Sequence, residues 1–344
     1  MQIHATFNRL GITLDRKAVK PYQGVLNPAS ARLRDGTLQL YPRMVAEGNI
    51  SRIGSFRASE PPDGKVRLQD CGFALEPEAP YELRGDSMGH GCEDPRVTFI
   101  PAIERYVIAY VALGPRGPEV AVAVSSEGLA WQRLGLMCFK KSEVPFADKD
   151  AAFFPEPVTS PAGIRSLAFY HRPTLKQSVE GEDPVAVARN LRPEEREGIA
   201  IGYVPLDRVL SDVEELCNVE ETHRLQRPPS MKWGKVKVGA GTPPVRIREG
   251  WMAAMHGVDE ARDEKGKTIL RYAAGLIVHD SQRLENVVYR SPEPLFFPET
   301  PAEVGGAVRN VVFPTAIDRR GDREFDIYYG MGDDEIGRGR LTLD

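Results

Sequence analysis

At 344 residues, with 41% apolar and 27% charged side chains, the chain has the composition of a protein that buries a sizeable core. A net charge of -4 with scattered basic residues leaves no electrostatic footprint for nucleic acid or an anionic membrane, and no run of about 18 apolar residues offers a membrane span. Cys71, Cys92, Cys138 and Cys217 lack CxxC or Cys/His spacing, which argues against a zinc site or a disulfide framework.

The N-terminus has no continuous apolar stretch of the signal-peptide kind, so the chain reads as cytoplasmic. With 32 Gly and 28 Pro it is punctuated by turns too often for a helical protein, which favours β structure. Residues 1–20 precede any recurring pattern and are expected to supply a closing strand or an edge cover. A degenerate unit then recurs five times: a polar or small-residue turn containing Pro, an apolar stretch, and a second apolar run ending in Tyr, His or Arg.

The first copy runs from Asn27-Pro28-Ala29 to Tyr41-Pro42-Arg43, with Ser51-Arg52-Ile53-Gly54 beyond. The second runs from Glu93-Asp94-Pro95-Arg96 to Tyr110, and the third from Lys149-Asp150 and Phe154-Pro155-Glu156 to His171-Arg172-Pro173. The fourth runs from Gly239 through Pro243-Pro244 to His256-Gly257, and the fifth from Pro314-Thr315 to Tyr328-Tyr329-Gly330, ending near Asp333. Pro95 to Tyr110 and Pro314 to Tyr329 are both 15 residues apart, and Pro155 to His171 is 16. Copies of this length predict an all-β fold, a five-bladed β-propeller formed by residues 1–344 as one domain. Equivalent positions would converge on an axial pocket, bringing Asn27, Asp94, Lys149, Pro243 and Asp333 together. Two segments fall outside the pattern. Leu175 to Gly198, with its Glu182-Asp183-Pro184, reads as a surface loop, and Pro205 to Val219 as a short helix packed on the ring through Val209, Val213 and Leu216.

P-loop and Rossmann signatures are absent. Gly85-Asp86-Ser87-Met88-Gly89 fits GxSxG, but the Gly and Pro that follow do not continue as the helix a nucleophile elbow needs, so a turn is expected. Gly239 to Pro244 reads as a tight turn or a close backbone approach to a ligand. In His90 to Thr98, Pro95 fixes its own φ and biases Asp94 toward extended geometry, which aims the carboxylate. Glycosyl transfer to water needs two carboxylates. Transfer to phosphate needs one acid and cations that hold an oxyanion already nucleophilic. Lys149, Arg172 and Lys237 stand at or beside the motifs, whereas Asp150 and Glu156 are the nearby candidates for a base. His171 and His256 end apolar strands at matched positions. Trp233 and Trp251 would stack on a sugar ring, and Trp251 reads equally as core.

This succession of motifs, from Asn27-Pro28-Ala29 to Tyr328-Tyr329-Gly330, resembles glycoside hydrolase family 130, the inverting β-mannoside phosphorylases, over about residues 25 to 335. The resemblance implies a five-bladed propeller whose central pocket takes a β-mannoside and orthophosphate. It implies that Asp94 is the general acid, acting through a hydroxyl of the bound mannose. Arg172 and Lys237 match basic positions assigned to phosphate, and Lys149 stands where some members have Arg. His171 is grouped with these cations. Asn27, Arg52, Arg96 and Asp333 fall in motifs that line the mannose subsite, and His256 is grouped with them. The sequence departs from the family at Met255, where Tyr is frequent, and at the turn Ser59 to Gly64, which is expanded.

The reading is therefore inverting phosphorolysis of a β-linked mannoside to α-mannose 1-phosphate and a shortened acceptor. Phosphate is the co-substrate, with no metal or organic cofactor, and a homo-oligomer is compatible with it. The rivals are a β-mannosidase using water in the same pocket and a catalytically silent glycan-binding propeller.

Overall fold

Short apolar runs between closely spaced turns form strands almost throughout. The computed structural model describes residues 2–60, 65–85, 89–140, 147–174, 186–187, 190–192, 195–225, 231–262, 266 and 268–344. Ser87 of the GxSxG match, Asp63-Gly64 of the expanded turn and Glu182-Asp183-Pro184 lie outside the described residues.

Each sequence copy opens a group of antiparallel strands. The first group is β2 (Gly24–Arg32), β3 (Leu38–Ala46), β4 (Ile50–Ser59) and β5 (Arg67–Leu75); the second is β6 (His90–Ile100), β7 (Arg105–Gly114), β8 (Gly117–Ser125) and β9 (Gln132–Leu136). Parallel pairing of Ile50 with His90 and Ser51 with Gly91 joins these two into one sheet. A short β10 (Cys138–Phe139) leads to the third group, β11 (Ala147–Phe153), β12 (Val158–Thr159), β13 (Arg165–Thr174), β14 (Ala200–Pro205) and β16 (Glu221–Arg224), while β15 (Asn218–Val219) pairs with β10. The fourth contains β17 (Lys237–Ala240), β18 (Val245–Ile247), β19 (Gly250–Arg262), β20 (Thr268–His279) and β21 (Val287–Arg290). The fifth contains β22 (Val312–Arg319), β23 (Glu324–Met331) and β24 (Glu335–Leu343), to which β1 (Ala5–Leu14) adds antiparallel. The N-terminal segment, expected as a closing strand or an edge cover, is thus an edge strand of the fifth group.

The apolar core lies between neighbouring groups. Tyr41, Val97 and Ile108 join the first to the second; Val107, Phe153 and Phe169 join the second to the third. Phe154, Tyr170, Trp251 and Met255 join the third to the fourth. Met252, Leu276, Phe325 and Leu341 join the fourth to the fifth, and Leu40, Phe56 and Tyr328 join the fifth back to the first. Sheet-on-sheet burial of this kind explains why the central strands are apolar on both faces, as in the fully buried run from Tyr106 to Ala112. Trp251 belongs to this core, and so does Trp233, which was expected to stack on a sugar but is buried among apolar side chains instead. A short helix, Leu206–Ser211, and the turn Val213–Cys217 bury Leu206, Val209 and Leu216 against the second and third groups, matching the helical spacing.

The equal spacing of the second and fifth copies has a shared cause. Tyr110 donates to Glu82 at 2.5 Å and Tyr329 to Glu303 at 2.9 Å. Both carboxylates are fully buried, and each also receives an arginine Nε at 2.9 Å, from Arg133 and Arg9. A buried carboxylate needs such partners, so the Tyr that closes each of these sequence copies is fixed by the acid it satisfies. Among the described residues, no helix is long and apolar enough to cross a membrane.

Candidate active site

The strands that open the groups carry the site because their ladders break there. Register shifts fall between Leu26 and Ala29 in β2, Glu93 and Arg96 in β6, and Lys149 and Ala152 in β11. Inside these bulges Asn27, Asp94 and Asp150 take left-handed φ of 42°, 45° and 58°. Asn and Asp tolerate that region better than other side chains, and a bulge re-aims the residue it frees. Asp94 is therefore not extended, as the following proline suggested: the extra residue in the ladder overrides the pre-proline bias. In β22 a corresponding bulge lies between Pro314 and Ala316, and Thr315 donates to the Pro28 carbonyl at 2.7 Å. Asp333 occupies the turn between β23 and β24, not the strand that opens its group.

Asp94 is held from three sides. Asn27 Nδ2 donates to its Oδ1 at 2.9 Å, and Arg43 Nη1 to the same oxygen at 3.2 Å. Arg43 also donates to Glu93 Oε1 at 2.6 Å and to Ser51 Oγ at 2.9 Å. Gly330 makes room for this arrangement, since a Cβ there would lie 2.1 Å from Asn27 Oδ1. Arg96 is not the ion-pair partner of Asp94: its Nη1 donates to the Asp94 carbonyl at 2.7 Å, its Nε to the Gly241 carbonyl at 3.1 Å, and its Nη2 to Asp150 at 3.4 Å. Burial pushes the Asp94 carboxyl up, but Arg43, Arg96, the Asn27 hydrogen bond and Lys149 outweigh it and hold it below the usual range.

Through Arg96 the acid is linked to a basic cluster. Asp150 is 1% exposed and receives Arg172 Nε at 2.5 Å. Burial would raise its proton affinity, yet Arg172, His256 and Arg96 drive it well below the carboxylate range. Lys149 and Arg172 are direct cross-strand partners, an arrangement of like charges that is unfavourable without an anion nearby. Lys237 Nζ lies 5.4 Å above the Tyr272 ring. Neither lysine forms an ion pair among the described residues. His256 is fully buried, stacks near Tyr272, packs 4.4 Å from Phe313, and has Nε2 3.7 Å from Asp150. Burial, together with Arg172, Lys237 and Arg96, lowers its pKa to about 3 against the pull of Asp150, so the imidazole is neutral. The glycine tract approaches closely here: a Cβ on Gly239 would lie 2.2 Å from Asp150 Oδ2 and 2.3 Å from His256.

The structure thus joins Asn27, Asp94, Arg96, Arg172 and His256 through direct contacts, with Lys149, Lys237 and Asp333 within electrostatic reach. His171 is not brought to the cluster. Adjacent residues on a strand face opposite ways, and its ring is buried with Nδ1 2.8 Å from Asp148 and Nε2 2.7 Å from Thr222, so both nitrogens are consumed away from the cluster. Arg52 also stays outside the network: it donates to Glu76 at 3.1 Å and lies over the Tyr22 and Phe73 rings, while its neighbour Ser51 faces Arg43. Glu156 is exposed at the far end of β11, in a hollow of about 260 Å³ shared with Arg165, Arg246 and Gln282. Arg43, Asp150 as a clamp, and Phe313 and Tyr272 as the wall beside His256 were not assigned from the sequence. Arg43 already stood in the Tyr41-Pro42-Arg43 motif, and Asp150 matched Asn27 and Asp94 in preceding a bulge.

Asp333 carries the electrostatic strain of the site. Burial and the charge of Asp94 raise its pKa to about 6, with Glu93 adding to the effect and Arg43 and Lys149 opposing it. A carboxyl whose folded pKa lies above its unfolded value costs stability as pH rises from about 4 to about 6, and the full cost persists above that. Asp333→Asn is therefore expected to stabilise the protein at pH 7 by on the order of 2–3 kcal/mol and to confer little at pH 4. Thermal unfolding of both proteins at the two pH values measures the difference; a gain that is independent of pH would exclude the carboxyl's charge as its source.

Comparison with known proteins gives a consistent picture. A family model described as beta-1,4-mannooligosaccharide phosphorylase matches residues 6–180 and 207–344. The chain is 25% identical over 302 residues to a 1,2-beta-oligomannan phosphorylase of Thermoanaerobacter sp. (strain X514), covering 86% of this chain and 79% of that protein. It is 33% identical over 124 residues to a beta-1,4-mannooligosaccharide phosphorylase of Ruminococcus albus, covering 36% and 35%. The solved structure of a beta-1,2-mannobiose phosphorylase from Listeria innocua, in complex with beta-1,2-mannobiose, superposes with a TM-score of 0.73 at 19% identity, covering 98% of this chain and 96% of that one, so the two share a fold.

Proposed function

The chain belongs to glycoside hydrolase family 130, and from that premise we propose that it phosphorolyses a β-linked mannoside with inversion, giving α-mannose 1-phosphate and a shortened acceptor. The five strand groups are read as blades of a β-propeller. Their apolar interfaces, which run from each group to the next and from the fifth back to the first, support that arrangement. Asn27, Arg96, His256 and Asp333 would line the sugar subsite, with Arg52 at its margin.

One observation carries the choice of phosphate over water. Asp150, the fully buried carboxylate of the cluster, is locked between Arg96 and Arg172, whereas Lys149 and Lys237 have no ion-pair partner among the described residues. A clamped, strongly acidic carboxylate is a poor base, and unpaired cations around it suit a dianion. Asp94 serves as the acid. The surrounding cations hold the free carboxyl below the usual range, and a bound sugar that excludes water from it raises its proton affinity. The proton balance closes without a cofactor. Monohydrogen phosphate attacks the anomeric carbon, the C–O bond to the leaving sugar breaks, and Asp94 supplies that oxygen's proton through a mannose hydroxyl. The proton lost by the new phosphate ester restores Asp94.

A panel of β-1,2- and β-1,4-mannosides, incubated with and without phosphate, tests the reading when mannose and mannose 1-phosphate are measured separately. Mannose 1-phosphate formed only with phosphate is expected. Free mannose at equal rates in both conditions would assign a β-mannosidase, and no turnover of any mannoside would assign a glycan-binding protein.

A further inference from the structure

We propose that Glu197 occupies the phosphate's place on Arg172 in the free enzyme and thereby sets the apparent affinity for phosphate; this rests on the reading of Arg172 as a phosphate ligand. A guanidinium grips an oxyanion along an edge, through two parallel N–H groups. Asp150 takes the Nε of Arg172, which leaves the edge formed by Nη1 and Nη2 for a second anion. The Glu197 carboxylate contacts Nη1, one of the two groups of that edge.

The two acids on Arg172 differ in kind. Asp150 is 1% exposed, is held as well by Arg96, and faces His256, so it is a permanent part of the site. Glu197 is 25% exposed in its side chain and, among the described residues, meets Arg172 alone of the cations. Its backbone is fixed, since Val238 N donates to the Glu197 carbonyl at 3.2 Å and Leu225 N to the Ile199 carbonyl at 2.9 Å. Exchange therefore requires rotation of one side chain and no movement of the backbone. The incoming dianion has the better claim. Glu197 meets one cation with one charge, whereas phosphate would meet Arg172, Lys149 across the strand pair, and Lys237. An ion pair of this partial exposure is a weak competitor, large enough to shift phosphate affinity and too small to prevent binding.

Calorimetric titration of inorganic phosphate into the wild type, Glu197→Gln and Glu197→Ala tests the proposal, with thermal unfolding to verify that the variants are folded. The dissociation constant is expected to fall about two- to fivefold in both variants, the weight of one such ion pair. An unchanged or weakened constant would mean that Glu197 supports Arg172 or stands clear of the phosphate, and would overturn the proposal. No measurable phosphate binding by any of the three proteins would overturn it as well. Turnover is assayed separately. Tighter phosphate binding by the variants without phosphate-dependent turnover in the wild type would sustain this inference while removing the phosphorylase reading. Loss of free-mannose release in Glu197→Gln would make Glu197 a water-activating base and overturn the exchange.

Discussion

Asp94→Asn is expected to reduce kcat on an unactivated β-mannoside by about 10²- to 10⁴-fold, the usual value of general-acid assistance to a poor leaving group. The substitution suits this position. Asn tolerates the left-handed φ of 45° that the β6 bulge imposes, and its amide oxygen can keep the hydrogen bonds from Asn27 and Arg43. Arg43 loses an ionic partner yet retains Glu93 at 2.6 Å and Ser51 at 2.9 Å, so the buried guanidinium is not left unpaired. The melting temperature should therefore change little while turnover collapses. A folded Asp94→Asn enzyme with near-normal kcat would remove Asp94 from the proton transfer and return attention to Glu93 and Asp333, the other carboxylates around Arg43.

The sequence was informative about the fold because each copy places its motif where a strand ladder breaks and its aromatic where a strand must be anchored. Asn27-Pro28 and Asp94-Pro95 mark bulges, and Tyr110 and Tyr329 sit at equal distances because each satisfies a buried glutamate. Side-chain direction was harder to read. His171 and Arg172 are neighbours in a basic motif, but strand alternation sends one to Asp148 and Thr222 and the other to Asp150. Arg96 is two residues from Asp94, yet its guanidinium spans to Asp150 in another group, a contact that depends on the packing of β6 against β11. Glu197 is still less legible. It lies in a charged, turn-rich stretch with no motif, and tertiary hydrogen bonds such as that from Val238 N to its carbonyl bring it to Arg172.

The cations should separate phosphate binding from sugar binding, and Lys237 is the cleaner probe. It lies over the Tyr272 ring and has no ion-pair partner among the described residues, so Lys237→Ala removes a positive charge without stranding a buried acid. A charge-assisted hydrogen bond is worth about 1.5–3 kcal/mol, so the KM for phosphate should rise about ten- to a hundredfold while the KM for mannoside moves little. Arg172→Ala should have a larger effect on phosphate and a second consequence. Asp150 would keep only Arg96 at 3.4 Å and neutral His256 at 3.7 Å, and a buried charge stripped of its main partner costs about 3–5 kcal/mol of stability. A fall in melting temperature is thus expected for Arg172→Ala and not for Lys237→Ala. Kinetics varied in both substrates distinguish the cases. If both variants kept the wild-type phosphate constant but lost affinity for mannoside, the cations would belong to the sugar subsite, and the clamped Asp150 would no longer argue for phosphate over water.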